Sequence, residues 1–253
     1  MTLTALRSAL NAAVADGARG VSAANRLCAV CVDLLEVDGA AISLVLTGAI
    51  QGTFGSSGEL SRKLDEFQFT FGEGPCLEAV SSSSAVLVPD LTDPKEQRWP
   101  AYAGAVLESG VRAVFALPVE VGSSAVGALD LFRNEPGPLS ESALAGGLLA
   151  AGFASMPLLD LMSGKLDVSN PPAGDPRVDQ LASLARVEVY QATGMLMGQL
   201  DVGPSEALMR LRAHAFANGM TASAVAWEII ERELELDADV PAPGSGRHGR
   251  LSS

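Results

Sequence analysis

Arg186, Tyr190, Thr193 and Met197 recur at steps of four, three and four. If their segment is helical, the four share one side of it. On such a face an arginine contacts phosphates or base edges. A tyrosine stacks on an unpaired base, the common route to sequence recognition in RNA. A little further on, Arg210 and His214 stand one helical turn apart, with Arg212 between them. The plainer reading is a solvated helix surface with Arg186 paired to Glu188 or to an acid across a dimer. Charge limits what this patch can do: residues 176–236 hold five Arg against eight acids. Each phosphate contact releases about one counterion, so the binding expected here is weak and steeply salt-dependent.

A second cluster is Phe69, Phe71, Gly72, Gly74, Pro75 and Cys76. It reads as a loop entering a short helix at 77–80. Glycines let backbone donors approach a ligand, and a helix N-terminus favours an anion. Phe115 and Leu117, on a strand, offer an apolar wall. The candidate ligand-binding residues are therefore Phe69, Phe71, Gly74, Cys76 and Phe115. The alternative is that the aromatics are core and the glycines only make the turn.

The thiols offer less. Cys28 and Cys31 form a C-x-x-C pair inside a helical stretch, without the second pair a zinc site needs. They read as small buried apolar residues. Cys76 stands near a helix start, where a thiol pKa falls; it is either a redox sensor or an inert thiol. His214 and His248 are the only histidines, which excludes a His-rich metal site. No phosphate-binding G-x-x-x-x-G-K-[ST] loop and no G-x-S-x-G elbow occurs. No catalytic residue and no metal ligand is expected, and the sequence names no cofactor.

These residues need elements to hold them. Helical periodicity runs over 4–15 and 23–35. Residues 41–46 read as a buried strand, with a second near Thr53 and a short one over 85–88. Residues 112–121 and 125–132 flank Gly122-Ser123-Ser124 as a hairpin, and Ser140 opens a further helix. Strands flanked by helices, with an antiparallel hairpin late in the sheet, give an α+β domain. From Val178 the pattern is purely helical: a stripe over Val178, Leu181, Ala185, Val189, Ala192, Leu196 and Leu200 predicts one long helix. Pro204 suits the first turn of the next. Asn218-Gly219 stops it, and Thr221 caps a third helix with Ala222, Val225, Ala226 and Ile229 buried. Three helices in about 60 residues stabilise themselves poorly, so dimerisation through the first is expected.

The chain has 253 residues, a formal net charge of −13, 48% hydrophobic residues and three Cys. Two domains fit that length. The charge excludes a generally basic nucleic-acid binder. The cysteine count excludes a disulfide scaffold and points to a reducing compartment. With no signal peptide and no apolar run long enough to span a bilayer, the cytoplasm is the expected location.

Both halves resemble known modules. Residues 178–236 resemble an ANTAR domain, through Arg186, Ala192 and Gly194 in QATGMLM, Glu206-Ala207, Leu211-Arg212, Ala215 and Val225-Ala226. Where that family commonly carries Lys, between the Ala and Gly of the first helix, this chain has Thr193. Residues 1–162 resemble a GAF domain, through FTFGEGPCLEAV (69–80), VLVPDL (86–91), RWPAY (98–102), GVRAVFALPVEVG (110–122) and GALDLFRNEPGPLS (127–140). The resemblance implies a sensory domain over 1–162, with a small-molecule ligand or none. A Pro/Gly-rich linker follows over 163–176, then an RNA-binding three-helix output over 177–236 and a disordered tail over 237–253. It further implies a homodimer that binds paired leader-transcript hairpins and prevents a terminator from forming. The RNA-binding residues on this reading are Arg186, Tyr190, Thr193, Arg210, Arg212 and His214. Two rivals remain: a dimerisation or protein-docking module that has lost RNA contact, and a thiol enzyme on the GAF scaffold, which would need Cys76 within bridging distance of Cys28 or Cys31.

Overall fold

A computed structural model describes residues 3–15, 20–46, 49–163, 184 and 186–236. The chain order is α1 (Leu3–Ala15), α2 (Gly20–Leu34), β1 (Gly39–Leu46), β2 (Ala49–Ser56), α3 (Glu59–Phe71), α4 (Pro75–Ser82), β3 (Val86–Val88), α5 (Pro100–Glu108), β4 (Ala113–Val121), β5 (Ser124–Arg133) and α6 (Glu141–Ser163). Three further helices follow: α7 (Val187–Leu200), α8 (Pro204–Ala217) and α9 (Ala222–Ile230). Beyond Ser163 the expected linker, and the whole expected tail, lie outside the described residues.

The five strands form one antiparallel sheet, in the order β2-β1-β5-β4-β3. Alternation along the strands divides the core in two. Ile42, Phe115, Leu117 and Leu131 point to the face covered by α1, α2 and α6. Ala41, Val114, Ala116 and Phe132 point to the face covered by α3, α4 and α5. On the first face α6 approaches closely because its inner side is small: a Cβ on Gly146 would meet Leu35 and Leu6, and one on Gly147 would meet Leu117. The stretch Glu141–Leu159 has the length and hydropathy of a membrane span, which the sequence reading did not anticipate. Here its Ala143, Ala150, Ala154 and Leu158 are buried in the protein.

Two helices were not foreseen. The expected loop at 69–76 is instead the end of α3, a tight turn and the start of α4. Helix α3 escapes periodicity because the side facing the sheet includes Ser61, Asp65 and Gln68, and Thr70 is buried on the other side. Helix α5 is short, and its first free N–H groups are satisfied from outside: Ala101 and Tyr102 both donate to Glu73 Oε1, at 2.7 and 3.0 Å. That contact meets the need every helix N-terminus has.

The C-terminal bundle encloses its own core of Val189, Ala192, Leu196, Ala207, Leu211, Ala215, Ala222, Val225, Ala226 and Ile229. Pro204 opens α8, Gly219 takes the left-handed φ of 63° that ends it, and the Thr221 side chain accepts from Ala224 N–H. The long first helix expected from Val178 does not run unbroken. Arg186 sits at φ 48°, ψ 50°, so α7 begins at Val187. Val178, Leu181 and Ala185 lie outside the described residues.

The sheet places one hard limit on sequence. A Cβ on Gly127 of β5 would lie 2.1 Å from the Ser43 carbonyl oxygen on β1. Gly127→Ala therefore forces the central strand pair apart, with an expected loss of about 2–3 kcal/mol, at the upper end for overpacking. Gly104→Ala, in open space on α5, should instead raise stability by about 0.5–1 kcal/mol. Thermal unfolding of the two variants reads both signs.

Candidate functional site

The six candidate RNA residues do not share one surface. Tyr190 is 64% exposed on α7. Thr193 is buried on the same helix and returns its hydroxyl to the Val189 carbonyl at 2.7 Å. The expected alignment of Arg186 with Tyr190 and Thr193 fails because Arg186 precedes the helix in a left-handed conformation. Arg210 is half-buried and bonds Glu206 at 2.7 Å across one helical turn. His214, also half-buried, lies in the last turn of α8, where its carbonyl accepts from Asn218.

Arg186 and Arg212 converge instead on the N-terminal domain. Their guanidinium carbons lie 4.3 and 4.7 Å from the centroid of the Phe69 ring, on the outer side of α3. Contacts of this kind are worth about 0.5–1 kcal/mol exposed and about 2 when desolvated. Arg186 is only 3% exposed. Its Nη1 donates to Ser223 Oγ at 3.1 Å, and Ser223 in turn donates to Glu188 at 2.9 Å. The sequence pairing of Arg186 with Glu188 is therefore bridged by a hydroxyl. Glu66 on α3 is the nearer carboxylate, at 4.0 Å. Burial pushes the Glu66 carboxyl up, and Arg186 pulls it part of the way back. Desolvation, and then the charge of Arg186, draw the Arg212 pKa down.

The rest of the seam is short and specific. Thr70 Oγ1 accepts the Ala222 N–H at 2.9 Å, serving the first turn of α9 from the other domain. Phe71 meets Phe216 edge-on at 5.4 Å and stacks on Phe67 at the same distance. Two clefts flank this contact. One of about 430 Å³ is lined by Thr53, Arg62, Glu66, Arg186 and Glu188. The other, of about 490 Å³, is lined by Thr70, Phe71, Met209, Arg212 and Phe216. Phe69 and Phe71, expected to line a ligand pocket, are thus seam residues. Sequence reasoning missed the seam because it treated Phe69 and Phe71 as a loop; a helical reading of 59–71 would have set Glu66, Phe69 and Thr70 on one side.

The inner side of α3 carries a buried polar cluster. Asp65 accepts from Ser43 and, at 2.6 Å, from Thr53. Gln68 Nε2 donates to Asp130 Oδ2 at 2.7 Å, and Gln68 Oε1 accepts the Cys76 N–H at 2.8 Å. Asp130 Oδ1 and the Tyr102 hydroxyl are buried without a hydrogen-bond partner. The sequence signalled none of this, because Ser43 and Asp130 sit singly in apolar strands. Desolvation, above all, pushes both carboxyls up, and the charge of Asp65 adds to the rise at Asp130.

The remaining ligand candidates separate. Gly74, at φ 144°, caps α4, and a Cβ there would meet Gln68. The Cys76 N–H, expected to face a ligand, is taken by Gln68. Phe115 lies on the opposite face of the sheet from Cys76. Cys28 and Cys31 also lie on that opposite face, so the sheet stands between them and Cys76. Burial raises all three thiols, Cys31 to about 12. Among the described residues, no group of His, Cys, Asp and Glu gathers as metal ligands.

Two measurements follow. A carboxyl whose folded pKa is raised contributes stability that is complete below its ordinary pKa and is lost as pH rises through the folded value. Asp130→Asn should therefore flatten the fall in urea-unfolding free energy between pH 4 and 7. That fall is at most about 1.4 kcal/mol per pH unit for one proton; an unchanged slope contradicts the assignment. The three thiols should react with a disulfide reagent only after unfolding, and fast labelling of native Cys76 at neutral pH contradicts the burial.

Comparison with known proteins fits this architecture. A family model of the GAF domain matches residues 21–156, and one of the ANTAR domain matches residues 180–230. No curated protein matches the chain. Among solved structures, the GAF domain of an Acinetobacter phosphoenolpyruvate-protein phosphotransferase is similar at 15% identity, covering 65% of this chain and 98% of that one, with a TM-score of 0.49. The free methionine-R-sulfoxide reductase of Neisseria meningitidis is similar at 17% identity, over 61% of this chain and 89% of that one, with a TM-score of 0.46. The chain belongs to the GAF domain family and joins its GAF domain to a C-terminal ANTAR domain.

Proposed function

We propose that this protein is an RNA-binding regulator of transcription antitermination, in which the GAF domain senses and the ANTAR bundle engages paired hairpins as a homodimer. The observation that carries the reading is the ANTAR match over 180–230, together with a tyrosine held open on its first helix. Tyr190 is 64% exposed, which an aromatic ring tolerates where it has a stacking partner. The outward side of α7 also presents Gly194 and Gly198, which carry no side chain to obstruct a second helix or a nucleotide. A homodimer brings two such faces together and doubles the arginines.

A second reading, that of a protein-docking module, draws on one observation. Arg186 is buried, Arg212 is half-buried against Phe69 and Arg210 is engaged by Glu206, so among the described residues no continuous positive strip is on display. The GAF side of the reading rests on the closed polar interior beneath α3. The buried thiols on opposite faces of the sheet speak against thiol catalysis, since attack requires an accessible thiolate.

Crosslinking the full chain to RNA in cells and sequencing the attached transcripts should enrich leaders with tandem hairpins; a flat transcript profile refutes the reading. In filter binding at low salt, Tyr190→Ala should weaken a tandem-hairpin RNA by about 1–3 kcal/mol, the usual value of a stacked base. Unchanged affinity removes Tyr190 from the site.

A further inference from the structure

Helix α3 lies between the two halves of the protein and is bound on both sides. Inward, Asp65 and Gln68 tie it to β1, β2, β5 and α4. Outward, Phe69 engages both arginines, and Thr70 serves the start of α9. Arg186 and Arg212 are two of the five cations in residues 176–236. The seam sets both guanidiniums against one ring, yet it leaves Arg186 Nε and Nη2 and Arg212 Nε buried with no acceptor. A guanidinium presents its N–H groups at its edges, in a fork that suits phosphate oxygens. The closed seam therefore withholds the groups a phosphate would take and gives them nothing in exchange.

We propose that α3 is an autoinhibitory clamp: Phe69 of the GAF domain holds Arg186 and Arg212 away from RNA, and the ANTAR domain binds at full strength only when the seam opens. The clamp rests on the RNA reading above and adds to it the residue that closes the site. Its grip is slight by construction. The Phe69 ring, the hydrogen bond from Ala222 N–H to the Thr70 hydroxyl, the Phe71–Phe216 edge contact and the long Arg186–Glu66 ion pair hold it, with clefts on either side. An event that shifts α3 on its inner side reaches Phe69 directly, because Gln68 and Phe69 are adjacent on one rigid helix.

The test compares full-length wild type with Phe69→Ala, with Phe69→Tyr as the variant that keeps the ring. Each is titrated with tandem-hairpin RNA at several salt concentrations. Phe69→Ala should bind at least about tenfold tighter, and its plot of log affinity against log salt should steepen by about 1.5, the equivalent of two freed cations. Phe69→Tyr should behave as wild type. Phenylglyoxal, which modifies accessible arginines, should label Arg186 and Arg212 faster in Phe69→Ala than in wild type. Thr70→Val, which removes the hydrogen bond to α9 together with the local bond from the Thr70 hydroxyl to the Glu66 carbonyl, should shift both readouts in the same direction by less, and it serves if Phe69→Ala misfolds. Equal RNA affinity in wild type and a folded Phe69→Ala overturns the clamp and leaves the RNA reading standing. Equal labelling of the two arginines also overturns it. Absence of binding by every variant at low salt overturns the RNA reading, and the clamp with it.

Discussion

The contact of two guanidiniums with the ring of Phe69 decides how the two domains of this chain relate. Its energetics are close to balance. Two cation–π contacts contribute up to about 2 kcal/mol each when desolvated. Against them stand three buried N–H groups without acceptors, each costing about 1–3 kcal/mol. Two like charges also share one ring, and Arg186 lowers the pKa of Arg212 as a like charge must. Glu66, at 4.0 Å, is too far to form a short charge-assisted bond. What closes the seam is then largely apolar: Phe69 packs against the ANTAR core, and Phe71 against Phe216. Such a seam is held by shape and area, and is sensitive to any ligand that offers oxygens to the guanidinium edges.

That sensitivity gains meaning from the other side of α3. A helix buried by leucines would be indifferent to proton or ligand. This one buries Asp65 and Gln68 beside Leu64 and Phe67, and the two polar groups face a second carboxyl, Asp130, with no basic side chain among the described residues bonded to either acid. Two carboxyls in a dry interior cannot both ionise cheaply. The inner attachment of α3 is thus polar and titratable, whereas the outer is aromatic and cationic. A single rigid element with a strained attachment on each side is the kind of two-state device that couples distant sites.

Much of this was legible in the sequence, and the failures have physical causes. The strands declared themselves because their faces alternate between two apolar cores, as with Phe115 against Val114 and Ala116. In the bundle, Pro204, Gly219 and Thr221 each did the local job their chemistry suits. Helix α3 was hidden because a stripe containing Ser61, Asp65 and Gln68 is indistinguishable from a solvated face until its partners are known. For the same reason Phe69 looked like a pocket wall. Arg186 was misplaced because a non-glycine residue at φ 48° breaks a helix that periodicity alone carries through. Tertiary contact overrode local preference there: Leu184, two residues earlier, is buried in the GAF core, its backbone closing on Gly52 of β2.

This anchoring bears on how the acidic balance of the chain is to be read. A net charge of −13 argues against nucleic acid only if all charges act together at the site. Screening confines surface charges to about 8–10 Å at physiological ionic strength, so the local pattern governs. In the closed arrangement the ANTAR domain presents its acids to solvent while two of its arginines are turned inward against α3. Its outward potential is therefore more negative than its composition alone dictates. On the proposed clamp, opening the seam changes no residue yet frees two positive charges per chain. On the clamp proposed above, the acidic composition belongs to the regulation, because it disfavours non-specific attachment of the closed form to RNA and leaves affinity to the few cations that α3 covers.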